Sequence, residues 1–220
     1  MNLRLDGISF AYPDHQPIFS DLNLSIPLHC WTVLTGDCGV GKTTLAKLIV
    51  GLLEPDTGSI RYESDNGIEQ SREVGYLFQN PDDQFMHFNI EREVAFNLEN
   101  RGIYPTIIRQ AVQRILHNYG LWSRRENSPH DLSGGEKQKL ALADWLVSQP
   151  QILILDEPTA FLDIPSRFEM YQNIRKLISD RLSIIWITQD DYEIALADHV
   201  IELAGGRPIR LKSNKYCPIE

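Results

Sequence analysis

Eight residues, Gly36-Asp37-Cys38-Gly39-Val40-Gly41-Lys42-Thr43, constrain the fold of this chain more than any other stretch. They match G-x-x-x-x-G-K-[ST], in which glycines let successive backbone N–H groups curl around a phosphate chain that side chains would block. Such a loop has to lie between the end of a strand and the start of a helix, because the helix aims its positive end at the same anion. The flanks comply: Trp31–Thr35 is a compact apolar run, and Thr44–Leu53 has helical spacing and stops before the turn residues Pro55-Asp56-Thr57-Gly58. In that frame Lys42 reaches the β/γ-phosphates, the Thr43 hydroxyl ligates Mg²⁺, and Thr44 continues the cradle.

The rest of the chain predicts how this strand–loop–helix unit is housed. Leu3–Phe10 and Phe19–Ile26 alternate and read as strands, followed by shorter ones at Ser59–Glu63 and Val74–Phe78. From Ile90 to Val147 the period changes to helical, with Val94, Phe96 and Leu98, then Ile107, Ile108, Val112, Ile115 and Leu116. Strand–helix alternation then resumes with Ile152–Leu155, Arg167–Ile178, Ser183–Thr188, Asp191–Ala197 and Val200–Leu203, the pattern of a mostly parallel sheet covered on both faces. The expectation is one α/β domain: a phosphate-loop core over 1–88 and 148–220, with an N-terminal antiparallel β region, and a helical subdomain over 89–147. The residues from Ser213 to Glu220 read as a tail.

Composition narrows the function classes. Of 220 residues 42% are hydrophobic and 23% charged, enough for a real core. A net charge of −9 argues against nucleic acid, whose binders present a basic face, but not against a nucleotide, which needs only a local positive field. The apolar runs are too short to span a bilayer, and Arg4 and Asp6 do not suit a signal peptide. Three scattered cysteines (Cys30, Cys38, Cys217) and six dispersed histidines lack disulfide or zinc spacing, which suits a reduced cytosolic protein.

Ile152-Leu153-Ile154-Leu155-Asp156-Glu157 reads as a buried strand whose carboxyl end carries two acids onto the ligand crevice. Asp156 is placed to hold Mg²⁺ through water, and Glu157 to act as general base on an attacking water. Alone, two acids before Pro158 are equally a polar turn; beside a phosphate loop they acquire a purpose. Leu132-Ser133-Gly134-Gly135-Glu136 supplies a second anion seat, a serine N-cap followed by two glycines opening a helix over Glu136–Val147, and Ser133 with Glu136 also fits a capping box.

With Lys137 and Gln138, this last run resembles the signature of ABC ATPases, and the resemblance extends from Tyr12 to about Gly206. It implies that Ser133, Gly134 and Gly135 complete an ATP site on a second ATPase subunit, the same chain or a different one. It implies further that Gln79 is the Q-loop glutamine, at the Mg²⁺ and γ-phosphate, and that Thr159–Asp163 is the D-loop, with Asp163 beside the nucleotide. Tyr12 resembles the aromatic that stacks on adenine, although a tyrosine between Ala11 and Pro13 is equally ordinary packing. Gln79-Asn80-Pro81-Asp82-Asp83-Gln84-Phe85, with Val94–Asn100, is similar to the ATPases of energy-coupling-factor importers of vitamins and transition-metal ions. That likeness implies transmembrane coupling and substrate-binding partners docked on Asp82, Asp83 and Phe85, and a peripheral place on the cytoplasmic face of the cell membrane. Because little follows Leu203, the chain resembles the short, biotin-type members.

One residue departs from the family pattern. Gln189, in Ile184–Asp190, stands where the family has its switch histidine. Its amide still donates a hydrogen bond to a γ-phosphate but cannot become a cation. Two functions therefore remain: an ATPase driving solute import, or a nucleotide-dependent clamp with weak hydrolysis beside a competent partner. A soluble ABC protein of DNA repair or translation fits less well, since the chain has neither an inserted coiled coil nor a second cassette, and its acidity opposes nucleic acid.

Overall fold

The computed structural model describes residues 1–64, 67–69, 73–178 and 182–213; Cys217 and the tail beyond Ser213 lie outside them. The chain divides into two compact units, one comprising Met1–Tyr76, Gln151–Glu157 and Asn173–Glu220, the other Leu77–Pro150 and Pro158–Gln172. The second is wider than the 89–147 segment that helical periodicity marks.

The first unit contains an antiparallel sheet of β1 (Asn2–Phe10), β2 (Phe19–Pro27), β4 (Thr57–Ser64) and β5 (Gly67–Glu69), in the order β2-β1-β4-β5. Alternation in the sequence sets its register. Leu3 faces Ile26 and Leu5 faces Leu24, and all four are buried.

The second sheet follows the order β10-β9-β3-β8-β7-β6, built from β3 (Trp31–Gly36), β6 (Val74–Leu77), β7 (Ile152–Asp156), β8 (Ser183–Ile187), β9 (His199–Ala204) and β10 (Arg207–Ser213). The pairs β9–β3, β3–β8 and β8–β7 are parallel. Every residue of β7 and β8 is buried, which is why both read as unbroken apolar runs rather than alternating ones. Because β3, β8 and β7 are parallel neighbours, their carboxyl ends lie side by side and deliver the phosphate loop, Gln189 and Asp156-Glu157 to one edge of the sheet. Helix α1 (Lys42–Val50) follows the loop and ends at Gly51 in the left-handed region, as a glycine C-cap should.

The strand β10 was not expected. Gly205 and Gly206, at φ 54° and 71°, turn β9 straight back into it, and Arg207 pairs with Ala204. Two glycines at positive φ are the signal of a two-residue hairpin, so the cue was present in the sequence.

The second unit holds α2 (Ile90–Glu99), α3 (Pro105–Asn118), α4 (Gly134–Leu146) and the start of α5 (Ile164–Leu177). Asn89 caps α2 by accepting from Arg92 N–H, and Pro105 opens α3, both expected at helix starts. Between α3 and α4 the chain makes two 3₁₀ turns, Trp122–Arg124 and Pro129–Asp131, instead of continuing as helix.

Candidate functional site

The first unit gathers Tyr12, the 36–44 loop, Asp156, Glu157 and Gln189. Backbone geometry explains the glycines. Gly36, Gly39 and Gly41 have φ of 138°, 79° and 106°, values that side-chain-bearing residues avoid. A Cβ at Gly36 would lie 2.3 Å from the Leu203 carbonyl oxygen, and one at Gly41 2.6 Å from Ile18 Cγ2. Gly39 differs: its Cβ would meet open space, so only its dihedral demands glycine.

The loop is closed by side chains from both ends. Val40 N–H donates to the Asp37 carbonyl, and Lys42 Nζ donates to the carbonyls of Gly36 (2.7 Å) and Asp37 (2.9 Å). Lys42 is buried, so its ammonium is held at the loop rather than in bulk water, while Cys38 is exposed and free. Gln189 Nε2 donates to the same Gly36 oxygen at 2.8 Å, which puts the glutamine amide on the rim of the phosphate loop. Thr43 Oγ1 donates to Asp156 Oδ2 at 2.8 Å, joining the loop to the end of β7. Thr44 is buried one turn in, 3.4 Å from the Tyr12 hydroxyl, and Tyr12 also packs edge-on against Phe10.

The two acids are held differently. Asp156 is buried and accepts from Tyr76 as well as Thr43; Tyr76 donates at 2.7 Å, and burial followed by the charge of Asp156 pushes its phenol far above the ordinary range. Glu157 leaves the strand with φ 45°, a non-glycine residue in the left-handed region, while its N–H still donates to the Ile187 carbonyl. Such a conformation costs of order 1–3 kcal/mol and persists only where neighbours over-determine it, as at active sites. Tyr76 escaped the sequence analysis, because nothing in a four-residue strand marks one tyrosine as a partner for an acid 80 residues on.

The second unit holds Gln79, Ser133, Gly134, Gly135 and Asp163. Ser133 caps α4 through its Oγ, and the Glu136 carboxylate accepts from the Ser133 N–H and hydroxyl, both at 2.9 Å, completing a capping box. The Ser133 N–H, and then Arg124 at 2.8 Å, hold Glu136 below the usual carboxylate range. Ser133 and Gly134 are exposed, so the helix N-terminus faces outward; a Cβ at Gly135 would sit 3.2 Å from Ser166 Oγ. Gln138, one turn in, donates to the Pro158 carbonyl at 2.7 Å and tacks α4 to the loop that precedes Asp163. Asp163 caps α5: hydrogen bonds from Ser166 hold its carboxyl low.

Gln79 is exposed, and the segment after it forms a 3₁₀ turn capped by Asn80. Asp82 is tied to Lys137 (2.8 Å) and His130 (3.2 Å), and the lysine does most to hold its carboxyl low. The expected surface at Asp82, Asp83 and Phe85 needs one correction. Phe85 is buried; the apolar side chains presented to solvent are Met86 (66% exposed) and Phe88 (95% exposed). The turn that ends at Gln84 rotates the following side chains, an effect sequence spacing does not reveal.

Among the described residues no helix is long and apolar enough to cross a membrane. A family model described as "ABC transporter" matches residues 19–160. The chain is 38% identical over 215 residues to the energy-coupling factor transporter ATP-binding protein EcfA1 of Leuconostoc mesenteroides subsp. mesenteroides, covering 94% of this chain and 79% of that protein. With the protein of the same name from Lactobacillus acidophilus it shares 40% over 210 residues, 91% of this chain and 74% of the relative. Among solved structures it resembles cbiO1 from Clostridium perfringens, described as part of the ABC transporter complex cbiONQ. The TM-score is 0.80 and the identity 31%, over 96% of this chain and 88% of the other.

Proposed function

This chain belongs to the ABC transporter family, among the ATP-binding proteins of energy-coupling factor transporters, and from that premise we propose that it powers an importer of a vitamin or transition-metal ion by hydrolysing ATP at its phosphate loop. The observation that carries the proposal is the cluster at one sheet edge: Lys42 and Gln189 on the loop, with Thr43 joined to Asp156 and Glu157 beside it.

The chemistry follows from what each group can donate or accept. The Gly36–Thr43 N–H groups and the N-terminus of α1 seat the phosphate chain, Lys42 moves from two carbonyls to phosphate oxygens, and Tyr12 offers its ring to the adenine. Thr43 and Asp156 present a hydroxyl and a carboxylate, the hard oxygen donors Mg²⁺ accepts, and Gln79 is a further candidate ligand. When bound there, Mg²⁺ would neutralise charge on the β- and γ-phosphates. The Glu157 carboxylate takes a proton from the attacking water, and the Gln189 amide orients that water or the γ-phosphate oxygens. Ser133, Gly134 and Gly135 receive the γ-phosphate of a nucleotide held by a second ATPase subunit, with Asp163 beside it, so that ATP closes two subunits head to tail.

The segment from Gln79 to Phe88 lies where transmembrane coupling and substrate-binding proteins would dock. Exposed Met86 and Phe88 supply the apolar contacts, and the chain sits peripherally at the cytoplasmic face of the membrane. Gln189 supports a second reading. A neutral amide bonded to Gly36 stands where a cation would serve better, which favours a clamp with slow hydrolysis in a heterodimer.

The test is Glu157→Gln. It should keep ATP binding, cut steady-state phosphate release by ~10²–10⁴ and trap an ATP-bound dimer, seen by light scattering with the co-purified partner present. Unchanged turnover would remove Glu157 as the base.

A further inference from the structure

The helix that begins with Gly134-Gly135 carries a buried acid that the proposed chemistry does not use. Asp144 lies on α4, almost wholly shielded from solvent, and among the described residues no cation lies within ion-pairing distance. Two amides face it instead. Gln84 Nε2 donates to Asp144 Oδ2 at 3.0 Å and to the Ala141 carbonyl at 3.3 Å, and Asn97 Nδ2 donates to Asp144 Oδ1 at 3.0 Å and to the Asp144 carbonyl at 3.0 Å. Gln84 belongs to the segment after Gln79 and Asn97 to α2, so one carboxylate joins three pieces of the chain.

The same segment is tied to α4 again two turns nearer the signature, where Asp82 meets Lys137. Residues 137, 141 and 144 share one helical face, so that face is laced along its length to the stretch following Gln79. The two ties differ in strength. Asp82 is substantially exposed, and a surface pair of that kind contributes little, whereas a buried acceptor that loses its donor is costly.

We propose that Asp144 is a positioning residue of the ATPase, fixing through Gln84 and Asn97 where the signature helix sits relative to the segment that follows Gln79. The proposal rests on the reading that Ser133-Gly134-Gly135 completes a nucleotide site on a second subunit. A displacement at Met86 or Phe88 then reaches the signature through Gln84 and Asp144.

The tie is also sensitive to protons. Burial pushes the Asp144 carboxyl up to about 7, against the two amide hydrogen bonds that pull it down; buried Glu93 on α2, whose carboxylate accepts from Met86 and His87 N–H, raises it further. Of the other charged and titratable groups on these elements, the His87 ring lies 3.5 Å from the Glu93 carboxylate, Lys137 and His130 pair with Asp82, Lys139 pairs with Glu169, Glu136 with Arg124, and Arg101 donates to the Ser148 carbonyl. Above about pH 7 Asp144 is a carboxylate accepting from both amides, the arrangement observed. Below it, one oxygen becomes a donor and must find an acceptor. Gln84 Oε1, buried and without a hydrogen-bond partner among the described residues, is that acceptor once the amide turns over, at the loss of the bond to Ala141. Because the folded carboxyl lies above its unfolded value, this group stabilises the fold most in acid and stops doing so as pH rises through about 7.

The experiment compares wild type, Asp144→Asn and Asp144→Leu. MgATP affinity of the chain alone should not change. MgATP-driven association with the second ATPase subunit should weaken about 10-fold in both variants at pH 8. In wild type it should fall across an apparent pKa near 7, a step missing from Asp144→Asn, which is neutral at every pH. Association that is wild-type in strength and pH dependence in Asp144→Asn overturns the proposal. If wild type shows no MgATP-driven association at all, the two-subunit reading fails instead, and the tie is judged by amide exchange over residues 80–88 with no partner present. Exchange there should be about 10-fold faster in Asp144→Leu, or in Asp144→Asn should the leucine variant not fold. Unchanged exchange overturns the tie whatever the dimer does.

Discussion

Each unit holds one of the two proposed anion seats, both made of backbone N–H groups at a helix N-terminus, but the two are built by different means. At Gly36–Thr43 the backbone itself is forced. Three positive-φ glycines and two positions with no room for a Cβ shape the loop, and the sheet beneath is buried at every residue of β7 and β8. At Ser133–Gly135 no glycine has positive φ, and the seat is shaped by side chains: the capping box, Arg124 on Glu136, Gln138 on Pro158. A seat held by backbone sterics stays rigid until the sheet fails. A seat held by five polar contacts can be shifted by changing one of them, which suits the part proposed to meet a second subunit.

The difference is best broken at Lys42. Lys42→Ala removes a buried ammonium that no neutral group replaces, and MgATP affinity measured by calorimetry should fall by ~10- to 100-fold, the worth of a charge-assisted hydrogen bond of ~1.5–3 kcal/mol. Unchanged affinity would mean that the phosphate loop is not the nucleotide site.

A smaller effect sharpens the comparison within the first unit. Gln189→His should raise phosphate release by about 10-fold in a single-turnover experiment with the partner present. Removing a preorganised donor outright typically costs ~10²–10³, and glutamine keeps one at similar reach. Nucleotide affinity should barely move, since the group acts in the transition state. A variant no faster than wild type would end the idea that the glutamine weakens this site and would leave Gln189 as competent as the histidine.

The smallest effect belongs to the signature helix. Ser133→Ala deletes the side-chain cap and the hydroxyl's bond to Glu136, leaving the backbone N–H and Arg124 on that carboxylate, so stability should drop by ~1 kcal/mol, read from the shift in a denaturant midpoint. ATP affinity of the isolated chain should not follow. If affinity falls as far as in Lys42→Ala, the two seats are not separate and the contrast between them fails.

Local chemistry wrote much of this molecule legibly. The phosphate loop, the strand ending in Asp156-Glu157, the Ser133 cap and the parallel sheet all follow from short-range rules: glycine where φ is positive, unbroken apolar runs where both faces are buried, serine where a helix begins. Even β10, which no periodicity marked, was announced by Gly205-Gly206. What the sequence by itself determined was therefore most of the strands and helices and the chemistry of each seat. Partnerships across long stretches of chain were decided by tertiary structure alone: Tyr76 on Asp156, Gln189 on the Gly36 carbonyl, Gln84 and Asn97 on Asp144, and the burial of Phe85 in place of Phe88. The physical reason is that a hydrogen bond between residues 50 or 150 apart depends on how layers pack and how a turn rotates the next side chain, and neither leaves a periodic trace in the residues themselves.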